Sequence, residues 1–205
     1  MDPGASRDIS DRVSRETLDR LTSYHELLLK WQTTINLVAS STLDAAWNRH
    51  FVDGIQLWDH APNPQGHWLD LGSGGGFPGL VVAAIAHEQA PDLRITLVES
   101  DIRKCGFLRE AARAMGIKVN VLSRRIEDIP PQHADVISAR ALAGLPRLME
   151  LALPHLAPDG ALLFPKGESY ADELEKIPPE WHTTTDVLPS ITDPSAVILR
   201  IRRPD

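Results

Sequence analysis

The chain has 205 residues, of which 42% are hydrophobic and 24% charged, values typical of one soluble α/β domain with additions, or at most two small domains. Its formal net charge of −7 argues against a protein that coats nucleic acid or an anionic membrane over its whole surface. The single cysteine excludes internal disulfide bonds and cysteine-based zinc sites, and the absence of a long apolar run or a secretory signal predicts a cytoplasmic protein.

Helical patterns occupy the first third of the chain. We expect a flexible tail over 1–9 and a helical cap over 10–61, where apolar residues between 18 and 35 recur every three or four positions and so share one face. A second helix is expected after Ser41-Thr42, either of which could cap it. A break rich in proline then precedes the main domain, 66–205, and the shortness of this linker predicts that the cap packs on the domain.

The main domain alternates short apolar strands with helical stretches. Strands are predicted at 67–71, 94–99, 118–122, 134–138 and 161–164, and helices at 78–89, 101–115 and 144–156. This alternation is typical of a parallel sheet with right-handed crossovers. Two late segments, near 181–188 and 196–202, have no clear helix between them, so we expect an antiparallel hairpin at one side of the sheet.

The strongest functional signal is a glycine-rich loop after the first strand of this domain, Leu69–Gly79 (LDLGSGGGFPG). Ligands of open α/β sheets bind at the carboxyl ends of strands, and glycines let the backbone turn sharply and approach a ligand. A P-loop is excluded because no Gly-Lys-Ser/Thr comes after it, and the spacing of Gly74, Gly76 and Gly79 matches the dinucleotide fingerprint only weakly. Asp70, placed before the first glycine, and the expected hairpin favour S-adenosylmethionine instead.

Glu99 is predicted to end the second strand of the domain. A carboxylate at that position can accept hydrogen bonds from the two hydroxyls of a ribose. Because NAD enzymes and methyltransferases both use such a carboxylate, Glu99 supports a nucleoside ligand without choosing between the two classes.

Three further residues carry chemistry whose use the sequence leaves open. His50 and Asp53 are three positions apart and share one helical face. We favour a polar contact that fixes the cap to the sheet over a role in RNA contact or cofactor gating, and we expect no metal site. Cys105 lies on a helix without the context of a nucleophile, so a packed thiol is expected.

Short motifs succeed one another from about residue 27 to residue 202. They are Lys30-Trp31-x-x-x-Ile35-Asn36-Leu37, Trp47-x-Arg49-His50-x-x-Asp53, the loop 70–79 with Phe77-Pro78-Gly79, Glu99, Lys104 with Phe107-Leu108, Arg125-x-Glu127, Ser138-x-Arg140-Ala141 and Lys166-Gly167. In this order they resemble the bacterial small-subunit ribosomal RNA guanine-N7 methyltransferases, the RsmG family, also called glucose-inhibited division protein B. Val38, Gly54 and Arg103 depart mildly from the residues usual in that family, which bears on fine substrate contacts and not on the class.

The resemblance implies a Rossmann-like class I methyltransferase sheet, mostly parallel, in one compact unit with the helical cap. It implies S-adenosyl-L-methionine as cofactor and, as substrate, 16S rRNA within the small ribosomal subunit or its precursor. Cofactor contacts are implied at Gly72, Phe77, Ile126, Glu127 and Arg140, to which the loop and second strand add Asp70, Gly74, Gly76 and Glu99. Candidate RNA contacts are Arg49, Arg103, Lys104, Arg125 and Lys166, and both Arg140 and Lys166 are candidates for positioning.

The segment after the fourth strand, Ser138-Ala139-Arg140-Ala141, bears on the acceptor atom. It has neither the Asn- or Asp-Pro-Pro-aromatic run of many amine methyltransferases nor a cysteine nucleophile. A ring nitrogen such as guanine N7 needs neither, so we expect in-line transfer without an essential general base. The alternatives are a methyltransferase of a small molecule or protein, and a nucleotide-binding regulatory module without catalysis. Local basic residues favour RNA, and the intact glycine loop favours catalysis.

Overall fold

A computed structural model of the chain describes residues 9, 11–61 and 64–204. Its strands are β1 (His67–Leu71), β2 (Arg94–Glu99), β3 (Asn120–Ser123), β4 (Ala134–Ala139), β5 (Leu156–Lys166), β6 (Thr185–Pro189) and β7 (Val197–Arg202). They form one seven-stranded sheet in the order β3-β2-β1-β4-β5-β7-β6. Strands β1 to β5 pair in parallel, whereas β7 runs antiparallel to both β5 and β6. The predicted α/β fold class with an antiparallel hairpin is therefore confirmed.

Helices cover both faces of this sheet. They are α1 (Arg15–Gln32), α2 (Asp53–His60), α3 (Gly79–Gln89), α4 (Ile102–Ala114), α5 (Leu145–Ala152) and α6 (Tyr170–Leu174). Shorter 3₁₀ turns lie at Ser40–Thr42, Ile126–Asp128, Leu153–His155 and Pro179–Thr184, and a π-helical turn lies at Trp47–Val52. Across the part of the chain that the structure describes, no helix combines the length and apolar character needed to cross a membrane.

Several boundaries differ from those expected, each for a local reason. The second helix of the cap does not begin after Thr42: a π-helical turn precedes α2, and Gly54 continues the helix without interrupting it. Helix α5 stops at Ala152 because Pro154 has no N–H to extend it. The next strand, β5, consequently begins five residues earlier than the predicted 161.

Ile9 belongs to the segment expected to be a flexible tail, yet it is fully buried. Its carbonyl accepts backbone hydrogen bonds from Arg12 and Val13, at 2.9 and 3.1 Å. Residues 1–8 of that expected tail lie outside the described residues. The side chain of Ile9 thus contributes to the core of the protein.

The cap and the sheet share one apolar core. Leu21, Tyr24 and Leu28 lie on a single face of α1, fully buried, in the same cluster as Leu80 of α3 and Leu97 of β2. Side chains that alternate along β1 reach both faces of the sheet, Trp68 on one and Leu69 and Leu71 on the other, and all five residues of the strand are buried. The cap is therefore fixed on the sheet by burial of apolar surface, next to the carboxyl ends of β1 and β2.

Gly54 gives a test of this packing. A Cβ atom on Gly54 would come within 2.6 Å of the Cβ of Val81 in α3, so the Gly54→Ala variant must push the two helices apart. We expect Gly54→Ala to lower the free energy of unfolding by about 1–3 kcal/mol. Gly106→Ala is the matched control, because the nearest atom to its new Cβ is 4.0 Å away; it should stabilise α4 by about 1 kcal/mol. Urea denaturation measures both, and equal stabilities would contradict the packing described.

Candidate active site

A cavity of about 830 Å³ opens at the carboxyl ends of the parallel strands, beside the cap. The predicted cofactor contacts on its wall are Gly72, Gly74, Phe77, Glu99, Ile126, Glu127 and Arg140. The predicted RNA contacts on its wall are Arg49, Lys104, Arg125 and Lys166. The structure does not bring Asp70, Gly76 and Arg103 to this wall. Most of the residues singled out in the sequence therefore surround one space, to which the cap and the loop between β6 and β7 also contribute.

The glycine loop turns the chain from β1 into α3. Gly72 and Gly76 have φ angles of +66° and +93°, a backbone conformation that residues with a Cβ rarely adopt. The backbone N–H of Ser73 donates to the carbonyl of Val98 at 3.0 Å, and its hydroxyl donates to the carbonyl of Asp70 at 3.1 Å. These bonds hold the loop against the ends of β1 and β2.

The carboxylate of Glu99 is fixed at the end of β2. One oxygen accepts the N–H of Gly74 at 2.9 Å and the other accepts the N–H of Asp101 at 2.8 Å. A carboxylate oxygen has two lone pairs, so each can accept a further hydrogen bond from the cavity. Glu99 thus joins the glycine loop to the start of α4 and presents a fixed pair of acceptors to a ligand.

Asp70 lies beneath the loop, with no exposed surface. Its Oδ1 accepts the hydroxyl of Ser138 at 2.7 Å, and that hydroxyl in turn accepts the indole N–H of Trp68 at 2.9 Å. Burial raises the pKa of Asp70 to about 6. We therefore assign Asp70 to the support of the loop and of the end of β4.

Arg140 follows β4 and points toward the cap. Its Nη1 donates to the carbonyl of Arg49 at 2.9 Å and to Nδ1 of His50 at 2.8 Å, and it lies 3.5 Å from the carboxylate of Asp53. The guanidinium carbon is 5.3 Å from the centre of the Phe77 ring. Within the described part of the chain, Nε and Nη2 of Arg140 have no hydrogen bond. The contacts of Arg140 with His50 and Asp53 join the end of β4 to the cap, which agrees with the structural role favoured for these two residues.

The hydrogen bonds of His50 define its tautomer. The hydroxyl of Thr42 donates to the carbonyl of Ala39 at 2.7 Å, so it accepts from Nε2 of His50, 2.8 Å away. Nδ1 is then free to accept from Arg140, and the ring is neutral. Burial and the nearby positive charge of Arg140 lower the pKa of His50 to about 3. A protonated His50 would lose the bond from Arg140.

The sequence is similar to that of a known protein family over most of its length. Residues 17–196 match a family described as GidB, rRNA small subunit methyltransferase G. The chain belongs to this family. The Ribosomal RNA small subunit methyltransferase G of Jannaschia sp. (strain CCS1) is 62% identical over 95% of this chain and 92% of its own length. That of Cereibacter sphaeroides (strain ATCC 17025 / ATH 2.4.3) is 54% identical over 93% of this chain and 91% of its own.

Solved structures share the fold at low sequence identity. A methyltransferase from Geobacter sulfurreducens gives a TM-score of 0.58 at 13% identity and covers 90% of this chain and 88% of its own. The structure of P. horikoshii TYW2 in complex with MeSAdo gives a TM-score of 0.54 at 14% identity, and the match covers 82% of this chain and 64% of that chain. At these identities the likeness shows the fold alone, and that fold is the class I methyltransferase sheet that the resemblance to the GidB family implied.

Lys166, predicted as an RNA contact, is engaged inside the protein. Its ammonium donates to the carbonyl of Ala143 at 3.0 Å and to the carboxylate of Glu173 at 2.8 Å, and its side chain is 9% exposed. The same Glu173 oxygen accepts the N–H of Leu145, at 2.6 Å, at the start of α5. Lys166 and Glu173 together hold the segment between β4 and α5. These contacts engage the ammonium of Lys166 within the protein, and its roles in RNA contact and in positioning stay predictions.

The remaining basic candidates differ in their surroundings. Arg49 pairs with Asp193 of the loop between β6 and β7 at 3.2 Å, and Arg103 is 73% exposed beside Asp101, away from the cavity. Lys104 and Arg125 line the cavity, as does Arg124. Along the described residues, Lys104 and Arg124 form no ion pair. The positive charge available to a ligand is thus concentrated at the β2 and β3 side of the opening.

Cys105 lies in the interior of the fold. Cys105 is fully buried in α4, where its thiol donates to the carbonyl of Glu99 at 3.2 Å, as expected for a packed thiol. No group of three or more His, Cys, Asp or Glu side chains that could hold a metal ion occurs among residues 9, 11–61 and 64–204.

Sequence reasoning missed the residues that reach the site from distant parts of the chain. Thr192, which donates to Asp53, is an isolated hydroxyl in a loop and gives no signal in the sequence. Glu173 likewise stands in a short acidic helix with no motif. Tyr24 did carry a signal, because it lies beside Leu21 and Leu28 on the buried face of α1 and its hydroxyl needs a hydrogen-bond partner there.

The neutral state of His50 predicts a pH dependence. A histidine whose pKa falls to about 3 on folding contributes stability above pH 6.5, and this contribution is lost as the pH falls below 6.5. Between pH 6.5 and 4.5 the loss should be about 2–3 kcal/mol. His50→Gln keeps an uncharged donor and acceptor, so it should be less sensitive to acid than the wild type. Urea denaturation of both across this range isolates His50 from the other histidines; parallel curves would contradict its assignment.

Proposed function

We propose that this protein transfers a methyl group from S-adenosyl-L-methionine to N7 of a guanine in 16S rRNA of the small ribosomal subunit. The family to which the chain belongs is one of S-adenosylmethionine-dependent rRNA methyltransferases. The observation that carries the proposal is that the residues which match this family surround a single cavity at the carboxyl ends of the strands. We place the reaction in the cytoplasm, with RNA and neither DNA nor membrane as partner.

The cavity suits the proposed cofactor in size and in chemistry. Its volume of about 830 Å³ is within the range of small-molecule sites. Glu99 offers two fixed carboxylate oxygens to the ribose hydroxyls, and Ile126 offers an apolar surface to the adenine. The unpaired edge of Arg140 suits the carboxylate of the methionine part. The cofactor supplies a methyl group activated by its bond to a positively charged sulfur.

The side chains near the opening fit transfer to a nitrogen that has no proton to lose. The segment between β4 and α5 contributes neither a carboxamide nor a thiol, and its histidine neighbour, His50, is engaged as an acceptor for Arg140. Guanine N7 carries a free lone pair, so the protein needs to align it with the methyl group and keep water away. Well-oriented approach contributes about 7–11 kcal/mol to such a transfer. No residue is required as a general base.

The segment between β4 and α5, residues 140–144, lines the opening of the cavity on the side where we expect the acceptor base to enter. Ala141 has a φ angle of +52°, a strained conformation for a residue that is not glycine. A Cβ on Gly72 would come within 2.7 Å of Leu142, so this segment covers the start of the glycine loop. Lys166 and Glu173 hold it from the far side. We infer that this segment positions the guanine beside the cofactor.

The RNA would approach along the basic side of the opening. Lys104, Arg124 and Arg125 line it, in a protein whose net charge is −7. So few positive charges neutralise few phosphates, which gives weak binding to bare RNA. We therefore propose the assembled small subunit or its precursor, where ribosomal proteins can add contacts, as the substrate.

Replacement of Glu99 tests the cofactor site. Glu99→Ala removes one or two hydrogen bonds from a charged acceptor, each worth about 1.5–3 kcal/mol, so binding of S-adenosylhomocysteine should weaken roughly 10- to 150-fold for each bond lost. Isothermal titration calorimetry measures the change. Glu110→Ala is the control, since Glu110 pairs with Arg113 on the surface of α4 and does not line the cavity, and it should bind as the wild type does. Binding of NAD without S-adenosylhomocysteine would exclude the proposed cofactor.

The substrate is tested with labelled S-adenosylmethionine and three acceptors: small subunits that lack the modification, naked 16S rRNA, and ribosomal proteins. We expect label in the RNA of the small subunit, at a guanine that borohydride and aniline cleave because N7 is methylated. Naked 16S rRNA should accept the methyl group more slowly, and Glu99→Ala should abolish most transfer. Label in protein, or none in any acceptor, would favour a methyltransferase of another substrate or a module without catalysis.

A further inference from the structure

The cap touches the glycine loop as well as the sheet. A Cβ on Gly75 would come within 2.9 Å of the backbone carbonyl of Leu37, in the segment after α1. A Cβ on Gly76 would come within 2.7 Å of the hydroxyl of Tyr24. The loop is therefore enclosed between the ends of β1 and β2 and two points of the cap, with no room for a side chain at either glycine.

Of these two points of the cap, Tyr24 is the one whose side chain forms a hydrogen bond with the loop. It is fully buried in α1, and its hydroxyl donates a hydrogen bond to the carbonyl of Gly75. Its ring stacks on Phe77 with centres 5.1 Å apart and meets the edge of Phe51 at 5.2 Å. Burial raises the pKa of Tyr24 well above its usual value, so the hydroxyl keeps its proton and remains a donor.

The loop needs support at this point. Gly74 and Gly76 have φ angles of +54° and +93°, so the loop backbone adopts a conformation that is rare outside glycine. Glu99 holds Gly74 from the sheet side, but Gly75 lies beyond that contact. Glycine has the largest conformational freedom in the unbound chain, so a loop that is already ordered binds a ligand at a lower entropic cost. The helix that carries Tyr24 is itself anchored on α3, through Arg20 and Glu88 at 2.8 Å.

We propose that Tyr24 is a positioning residue for the cofactor: it orders the glycine loop from the cap through Gly75 without touching the ligand. The proposal rests on the proposed function, since it takes S-adenosylmethionine as the ligand of the cavity. It makes the cap a part of the cofactor site, in addition to its contact with Arg140.

The experiment compares Tyr24→Phe with Thr96→Val. Tyr24→Phe removes one hydroxyl and keeps the ring and its stacking. Thr96→Val also removes one buried hydroxyl, which lies 2.9 Å from His67, and Thr96 does not line the cavity. Both variants are titrated with S-adenosylhomocysteine by calorimetry, unfolded in urea, and followed by hydrogen exchange of the amides of residues 72–79.

In Tyr24→Phe we expect the dissociation constant to rise about fivefold to tenfold, as for one lost buried hydrogen bond, and the loop amides to exchange faster by a similar factor. The KM for S-adenosylmethionine should rise likewise while kcat at saturation stays within about twofold of the wild type. Thr96→Val should lose comparable stability and retain wild-type affinity and loop exchange.

Wild-type affinity and loop exchange in Tyr24→Phe would overturn the proposal. So would an equal loss of affinity in both variants, because it would trace the effect to general destabilisation. If the wild type itself binds no S-adenosylhomocysteine, the proposed function fails before the role of Tyr24 is reached. The two proposals are thus tested separately.

Discussion

The turn from β1 into α3 is the constraint on which the cavity and its surroundings depend. Gly72, Gly74 and Gly76 each adopt a positive φ angle, and together they reverse the chain within a few residues of the strand. The helix after the turn can then lie directly on the sheet: a Cβ on Gly79 would come within 2.4 Å of Leu97. The space left at the carboxyl ends of β1 and β2 is the cavity, so its shape depends on backbone geometry that few residues other than glycine tolerate.

Buried polar groups connect this turn to the other elements of the site. Ser138, at the end of β4, bonds to Asp70 below the loop, and Arg140, two residues later, bonds to the cap. A buried donor or acceptor left without a partner costs about 1–3 kcal/mol, so these contacts fix the relative positions of loop, strand and cap more strictly than apolar packing alone. Among the described residues, these polar contacts engage Nη1 of Arg140 and leave its Nε and Nη2 without a hydrogen bond.

The sequence predicted the elements whose signals are local. Strands β1 and β2 are short apolar runs, the glycine loop between β1 and α3 has a composition that packing alone seldom needs, and Glu99 stands at a predictable strand end. The π-helical turn at Trp47–Val52 was not predictable, because its wider hydrogen-bond register has no periodic pattern of its own. The carbonyl of Arg49, within this turn, accepts a hydrogen bond from Arg140, a contact that only the folded chain creates.

The same distinction holds for charged side chains. Lys104 and Arg125 were expected near the cavity from their places after β2 and β3, and they are there. Lys166 also comes at the end of a strand, but its sequence position could not reveal that Glu173 would meet it at 2.8 Å and hold it inside. A residue's element fixes its approximate place, whereas its partner, and hence its availability to a ligand, depends on segments remote in the chain.

The order of the strands also determines what the sheet offers to other chains. The longest strand, β5 with 11 residues, lies between β4 and β7, and its residues 161–163 pair with both neighbours. The outermost strands are β3, with four residues, and β6, with five, the last of which is Pro189. Short edge strands present few unpaired amides to a second copy, and Pro189 has no amide N–H to present. The placement of the longest strand inside the sheet, with short strands at both edges, therefore disfavours edge-to-edge pairing between folded copies.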